Sequence, residues 1–258
     1  GRIVMAPSML NLRWHQVSLY PAGYYVRQIA VQPTAIYPTG WQAASAMRPT
    51  AGQKNSADMN LVVYEKTDYD TLVDSPVFAG KYFQTRRLSR RAHLNIVADD
   101  AKYLKPAKDQ IAKHANLVRE AEALFGSYPY DRYDFLLALT EEMGGIGLEH
   151  HRSSENGVNR EYFTEWDDGP GRRNLLPHEV THSWNGKYRR PAGMWTPDFR
   201  EPMRDNLLWV YEGQTQFWGY VLGARSGLYS KQDTLDAFAA IAADMDQRVG
   251  RQCILLGI

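Results

Sequence analysis

The chain has 258 residues, 44% of them hydrophobic and 23% charged, with a net charge of +1 at neutral pH. That length holds one large domain or two smaller ones, and the composition is that of an ordinary globule. The near-zero charge gives no reason to expect nucleic acid or a charged membrane surface as a partner. No apolar run approaches the roughly 18 residues of a membrane span, and a single cysteine, Cys253, excludes an internal disulfide.

Residues 1–90 carry strand-like runs at Trp14–Tyr20, Tyr24–Val31 and Asn60–Tyr64. Pro21-Ala22-Gly23 and Pro38-Thr39-Gly40 punctuate them as turns. Regular strands between turn signals predict a β-sandwich or a saddle-shaped sheet. A boundary is expected between Arg86 and Arg91, dividing a β-rich N-terminal domain (1–90) from a second domain (91–258). The first residues read like the interior of a β domain, so a trimmed fragment is expected. A strand at His93–Val97 follows, then a helix from about Pro106. Ile111, Ala115, Val118, Ala121 and Leu124 give that helix an apolar stripe, and Gly126 ends it. Tyr133–Leu139 reads as a buried strand leading into a glycine-rich edge at Gly144–Gly147. From residue 174 the chain is expected to be mostly helical. The last helix, 231–249, carries Leu235, Phe238, Ile241 and Met245 as a core face.

The sharpest signal is His178-Glu179-Val180-Thr181-His182. Histidines at i and i+4 lie on one helix face, so both imidazoles can reach one zinc ion. The glutamate between them can take a proton from water activated by the metal. Asn174 is expected to cap this helix, with Pro177 in its first turn. Val180 and Trp184 supply an apolar pair on its flank. The bland alternative, a surface helix with two solvated histidines, lacks such a flank.

A catalytic zinc takes three protein ligands and keeps one position open. No third histidine follows at short spacing, which leaves a carboxylate. Glu201 precedes Pro202, and the residue before proline is biased away from helix. Glu212 lies in a segment where Leu208, Tyr211, Thr215 and Trp218 fall near one helical stripe. A ligand on a packed helix is held better than one on a loop, so Glu212 is favoured. Thr181 and Asn185 are candidates to orient the ligands. His15, His93 and His114 read as ordinary surface or packed histidines.

With these residues in place, the chain resembles the gluzincin metallopeptidases, and within them the glycyl aminopeptidase family (family sixty-one of the metallopeptidases). The likeness is carried by His178–Pro191 and by Leu208-Trp209-Val210-Tyr211-Glu212-Gly213. Gly144–His150 and Tyr69–Pro76 fit the same family. The resemblance implies an α+β fold: a β-rich N-terminal domain, here partial, then a thermolysin-like catalytic domain with a mixed sheet and a helical zinc-binding half. It implies one zinc ion per chain, held by His178, His182 and Glu212, with Glu179 as general base. Many members carry a C-terminal PDZ-like module, for which there is no room before Ile258. Related enzymes also use a tyrosine downstream of the third ligand to steady the oxyanion, and no convincing equivalent precedes Ile258. Members are often exported from bacteria, so a periplasmic or secreted location is implied.

Gly147-Leu148-Glu149-His150 resembles the G-x-M-E-N segment of zinc aminopeptidases, an edge strand lining the substrate cleft. Carried over, Gly145 and Gly147 line the cleft, and Glu149 binds the free α-amine by a charge-assisted bond. At most one of His150 and His151 then faces the substrate, because strand neighbours point to opposite faces. The expected partner is a peptide with a free N-terminus and a small first residue, glycine or alanine. The competing expectations are a zinc endopeptidase on the same scaffold, a fragment that binds peptides without cleaving them, and another hydrolase such as an epoxide hydrolase, which nothing in the sequence favours.

Overall fold

The computed structural model describes residues 4–50, 54–55 and 59–249. Cys253 and the last residues of the expected second domain lie outside the described residues.

The N-terminal region is β-rich, built from three small antiparallel sheets instead of one sandwich. One has the order Met5–Ala6, Met9–Leu12, Val77–Gly80, Gln42–Ala44. A second runs Thr34–Pro38, Met59–Val63, Lys54–Asn55, and a third pairs Ala30–Val31 with Thr67–Asp68. In Thr34–Pro38 the side chains alternate, with Ala35 and Tyr37 inward and Thr34, Ile36 and Pro38 outward. The expected strand at Asn60–Tyr64 is present as Met59–Val63. The other two runs are not the expected strands. Trp14–Gln16 and Val26–Gln28 are 3-10 turns, and only Ala30–Val31 of the second run pairs. In both turns an apolar side chain is used as an anchor. Trp14 and Val26 are buried in a cluster with Tyr37, Tyr64, Leu72 and Val77, and Trp14 Nε1 donates to Ser75 O at 3.0 Å. Burial of one large residue outweighs strand propensity there.

The second region is organised on a five-stranded mixed sheet. Its strands are β1 (Tyr82–Arg87), β2 (Ala92–Ala98), β3 (Tyr133–Leu139), β4 (Gly147–Glu149) and β5 (Ser153–Val158), in the spatial order β1-β2-β3-β5-β4. The β2–β3 and β3–β5 pairs are parallel, and the two edge strands are antiparallel to their neighbours. The hairpin of β1 and β2 pairs Tyr82 with Ala98 and Arg87 with His93, so it runs across the expected boundary. All seven residues of β3 are buried, because both faces of the sheet centre are covered. On one side Leu94, Phe135 and Leu137 pack with Leu117, Val118 and Ala121 of helix α1 (Lys108–Phe125).

Three further helices follow: α2 (Leu175–Thr181), α3 (Thr215–Ser226) and α4 (Lys231–Asp246). Helix α2 brings Leu176 and Val180 into the same core, where Trp184 and Leu222 of α3 join them. Asn174 does not cap α2. A 3-10 turn, Pro170–Asn174, already precedes the helix, so Asn174 is helical (φ −74°, ψ −18°) and its side chain makes no cap bond. Its Oδ1 instead accepts from Tyr229 Oη at 2.9 Å. Residues 183–208 are largely irregular, with a 3-10 turn at Ala192–Met194, so the stretch after 174 is less helical than expected. The face of α4 expected to be core is largely open: Leu235, Ile241 and Met245 are 49%, 37% and 52% exposed. The helix meets the rest of the described residues along a narrow line, where Phe238 stacks on Phe217 at 5.7 Å.

Candidate metal centre

Helix α2 sits against the β4–β5 edge of the sheet and presents His178 and Glu179 there, and His182 closes it at its C-terminal end. His178 Nε2 and His182 Nε2 lie 3.2 Å apart. Glu212 Oε2 lies 3.4 Å from the first and 3.6 Å from the second. Two ligands about 2.0–2.1 Å from a tetrahedral zinc ion are separated by roughly 3.3–3.4 Å. The three atoms therefore form a triangle of the size such an ion requires. His178, Glu179 and His182 also group within 4.8 Å. The triangle through Glu212 is the tighter set and leaves Glu179 free beside it.

The surroundings fit a cation. His182 Nδ1 lies 3.0 Å from the carbonyl oxygen of Asn185; donating there leaves Nε2 with its lone pair toward the site. The imidazoles hold the Glu212 carboxyl down at about 2, chiefly through hydrogen bonds from His178 and His182. Glu179 is buried, and that burial together with the negative charges of Glu149 and Glu212 pushes it up to about 9. A dication beside it works in the opposite direction.

Glu212 reaches the histidines from a π-helical turn, Trp209–Gln214, that leads into α3. Wide turns of this kind recur at functional sites. The amide of Asn185 ties the turn to the end of α2: its Nδ2 donates to Val210 O at 2.9 Å and to Thr215 Oγ1 at 3.0 Å. Asn185 thus holds both sides of the triangle, through its carbonyl and its side chain. Thr181 does not orient a ligand. Its hydroxyl donates back to Pro177 O at 2.7 Å within α2. Glu201 stays in an exposed loop and forms no ion pair among the described residues.

The edge strand β4 carries Gly147 and Glu149. A Cβ built at Gly147 would lie 2.6 Å from Leu175 Cδ1 and closer still to Glu179 Oε1. Only glycine lets the strand come this near to the glutamate. Glu149 accepts a hydrogen bond from Tyr211 Oη, one residue before Glu212. Gly145 lies in the exposed loop ahead of β4 with open space about it.

Sequence reading missed what lies behind Glu149. His150 is buried, with Nδ1 3.1 Å from Asp74 and Nε2 3.1 Å from Glu155. Burial opposes its charge, but hydrogen bonds and charges from the two carboxylates outweigh it and lift His150 to about 9. Asp74 also takes Lys187 Nζ at 2.9 Å and the backbone N–H of His151 at 2.8 Å. Burial disfavours its charge, yet Lys187 and His150 hold it well below the usual carboxylate range. Glu155 also takes Arg13 at 3.0 Å and the amide of Asn11. This chain of charges joins the N-terminal region to β4 and to the loop after α2. His151 turns its ring to Pro129 O. Neither histidine is free to polarise a substrate carbonyl. Adjacent histidines signal nothing of this, because Asp74 is 76 positions from His150.

A mixed sheet edged by an H-E-x-x-H helix, with a glutamate one helix further on completing the donor set, defines the gluzincin class of metallopeptidases. A family model described as M61 glycyl aminopeptidase matches residues 172–256, and one described as the peptidase M61 N-terminal domain matches residues 1–81. Together these two matches span more than half of the chain, which belongs to the M61 peptidase family. Among curated proteins none matches it significantly. An aminopeptidase N family protein from Idiomarina loihiensis has a similar solved structure, with a TM-score of 0.69 at 21% identity over 88% of this chain. An M1 zinc metallopeptidase from Deinococcus radiodurans aligns over 86% of the chain with a TM-score of 0.49 and 18% identity. The chain spans only 39% and 44% of the length of these two structures. At such identity the first likeness speaks for the fold alone. Among the described residues no helix is long and apolar enough to cross a membrane.

Proposed function

We propose that this chain is the zinc-binding, catalytic part of an aminopeptidase of thermolysin-like architecture that removes the first residue from peptides with a free amino end. The observation that carries this is the 3.2, 3.4 and 3.6 Å triangle of His178, His182 and Glu212 beside the uncommitted Glu179. When bound, zinc supplies Lewis-acid polarisation of the scissile carbonyl and acidifies water near neutral pH.

The chain's own groups do the rest. Glu179 accepts the proton of the attacking water at a carboxylate oxygen and hands it to the leaving nitrogen. Gly147 keeps the edge strand close enough for a substrate laid along it to place its carbonyl beside Glu179. Glu149 pairs with the ammonium of the first residue, with Tyr211 fixing one of its oxygens. A blocked amine would leave that carboxylate unpaired, which disfavours acetylated peptides. The cavity on this side, about 310 Å³, is lined by charged groups including Asp74, Lys187 and Arg190. A preference for glycine or alanine rests on the family description.

The test is zinc content per chain, followed by hydrolysis of alanyl peptides with free and acetylated ends. One zinc per chain and cleavage of free ends only is the expected result. In Glu149→Ala the efficiency on free-amine peptides should fall by about tenfold or more, the worth of a charge-assisted bond. Equal cleavage of both peptides by the unaltered protein would instead mark an endopeptidase.

A further inference from the structure

A second cavity, of about 540 Å³, reaches His178 and Glu179 and shares no lining residue with the cavity that holds Glu149. It is large enough for a short stretch of peptide. Its polar lining includes Asn159, Arg172, Gln216 and Tyr220, and its only carboxylate is Glu179. If the amine is held at Glu149 and the scissile bond lies at Glu179, the leaving part of the peptide continues into this second cavity.

The arginines around it differ in what they hold. Arg160 pairs with Glu161 at 2.7 Å. Arg173 is buried and donates to the carbonyls of Trp166 and Leu228. Arg172, in the turn that leads into α2, has no hydrogen bond or ion pair for its guanidinium among the described residues. Its charge is felt at Glu161, but that carboxylate is already committed to Arg160. The stem of Arg172 folds over Gly169, which sits in the left-handed region at φ +72°. A Cβ there would meet Arg172 Nε at 3.4 Å and Cγ at 3.6 Å. The glycine therefore lets the turn close and gives the arginine a surface to lie on.

We infer that Arg172 receives the carboxylate of the leaving peptide, so that the substrates are short peptides held at both ends, by Glu149 at the amine and by Arg172 at the acid. This rests on the aminopeptidase reading for the direction of the chain. A planar guanidinium suits a carboxylate, which it binds through two parallel bonds. The same chemistry serves a terminal carboxylate or an acidic side chain at that reach.

The experiment compares Ala-Ala-Ala as free acid, Ala-Ala-Ala amide and Ala-Ala-Glu amide in the zinc-loaded protein. The free acid should be cleaved with kcat/KM about tenfold above the amide, the size of one charge-assisted contact. In Arg172→Gln that ratio should fall to about one. Recovery of efficiency with Ala-Ala-Glu amide assigns the site to carboxylates in general, and no recovery assigns it to the chain terminus. A ratio near one in the unaltered protein, or an unchanged ratio in Arg172→Gln, overturns the inference. Binding of the acid and amide tripeptides to zinc-loaded Glu179→Gln, by equilibrium dialysis, gives the same comparison without turnover. Equal binding, or binding of neither, also overturns it. Cleavage of acid and amide alike removes only the role of Arg172 and leaves the aminopeptidase reading. Preferential binding of the acid by the unaltered zinc-loaded protein, with no cleavage of any free-amine peptide, does the reverse.

Discussion

The two cavities beside the metal ligands are built by opposite means. Around Glu149 nearly every charge is committed: Tyr211 holds Glu149, while Asp74, His150, Glu155, Arg13 and Lys187 hold one another behind it. Those partners come from distant parts of the chain, so the end of β4 is tied to the N-terminal region as well as to its own sheet. On the Arg172 side the lining comes from the end of β5, a 3-10 turn, α2 and α3, and among the described residues the Arg172 guanidinium has no hydrogen bond or ion pair. A rigid flank suits a fixed group such as an ammonium at the start of every substrate. An adaptable flank suits leaving peptides that vary. On the proposed aminopeptidase reading, the contrast would combine strict choice at one end with tolerance at the other.

The largest expected effect lies between the two flanks, at the group both depend on. Glu179→Gln should keep its zinc and lose kcat by about 10²–10⁴-fold, the usual worth of a general base; retained turnover would remove the mechanism and with it the meaning of both cavities. Next is the donor triangle. Glu212→Ala should weaken zinc binding by orders of magnitude in a chelator competition, while Glu201→Ala leaves it unchanged. The reverse result would move the third ligand to the loop.

The smallest effect sharpens the contrast itself. His150→Gln strips the rigid flank of its central cation and leaves Asp74 and Glu155 facing each other. Breaking a buried ion pair costs about 3–5 kcal/mol, so a loss of about 3 kcal/mol in denaturant unfolding is expected near neutral pH. The folded-state value of His150, about 9, is above its ordinary 6.5. Its contribution is thus fully present below about 6.5 and is lost as pH rises through about 9. The gap between His150→Gln and the unaltered protein should narrow over that window. A constant gap would mean that His150 acts by packing alone. His114 is the counterexample inside the same molecule. It is buried, with Gln110 O at 2.7 Å and Tyr162 Oη at 3.0 Å, and its burial pushes it down to about 4. Its contribution is present above about 6.5 and fades as pH falls toward 4.

The sequence made some parts of this molecule legible and others not, for physical reasons. Helix α1, strands β2 and β3 and the zinc-helix pattern are marked by local features of the sequence, an apolar stripe, short apolar runs and i, i+4 spacing. His178, Glu179 and His182 come together at i, i+1 and i+4 spacing, so their shared edge could be read directly. Trp14 and Val26 could not be placed as turn anchors, because their burial depends on Tyr64 and Val77 far along the chain. Nor could the exposed face of α4, whose apolar spacing reads the same whether or not a neighbour covers it. Asn174 looked like a cap, and a helical turn before it took that role away. The bracing of His150 was invisible for the same reason: each partner is an ordinary polar residue until the fold brings it there.

The π-helical turn under Glu212 makes the site a matter of residue count as well as residue type. Its backbone closes over one more residue than an α-turn does, and Asn185 and Thr215 donate to the carbonyls of Val210 and Tyr211 within it. Deleting a single residue here, such as Gly213, would let the segment rewind as ordinary α-helix and rotate Glu212 by about 100° relative to α3. The carboxylate would then face away from both imidazoles, although every donor would remain in the sequence. A frame of one residue, as much as any side chain, decides whether this chain can hold a metal.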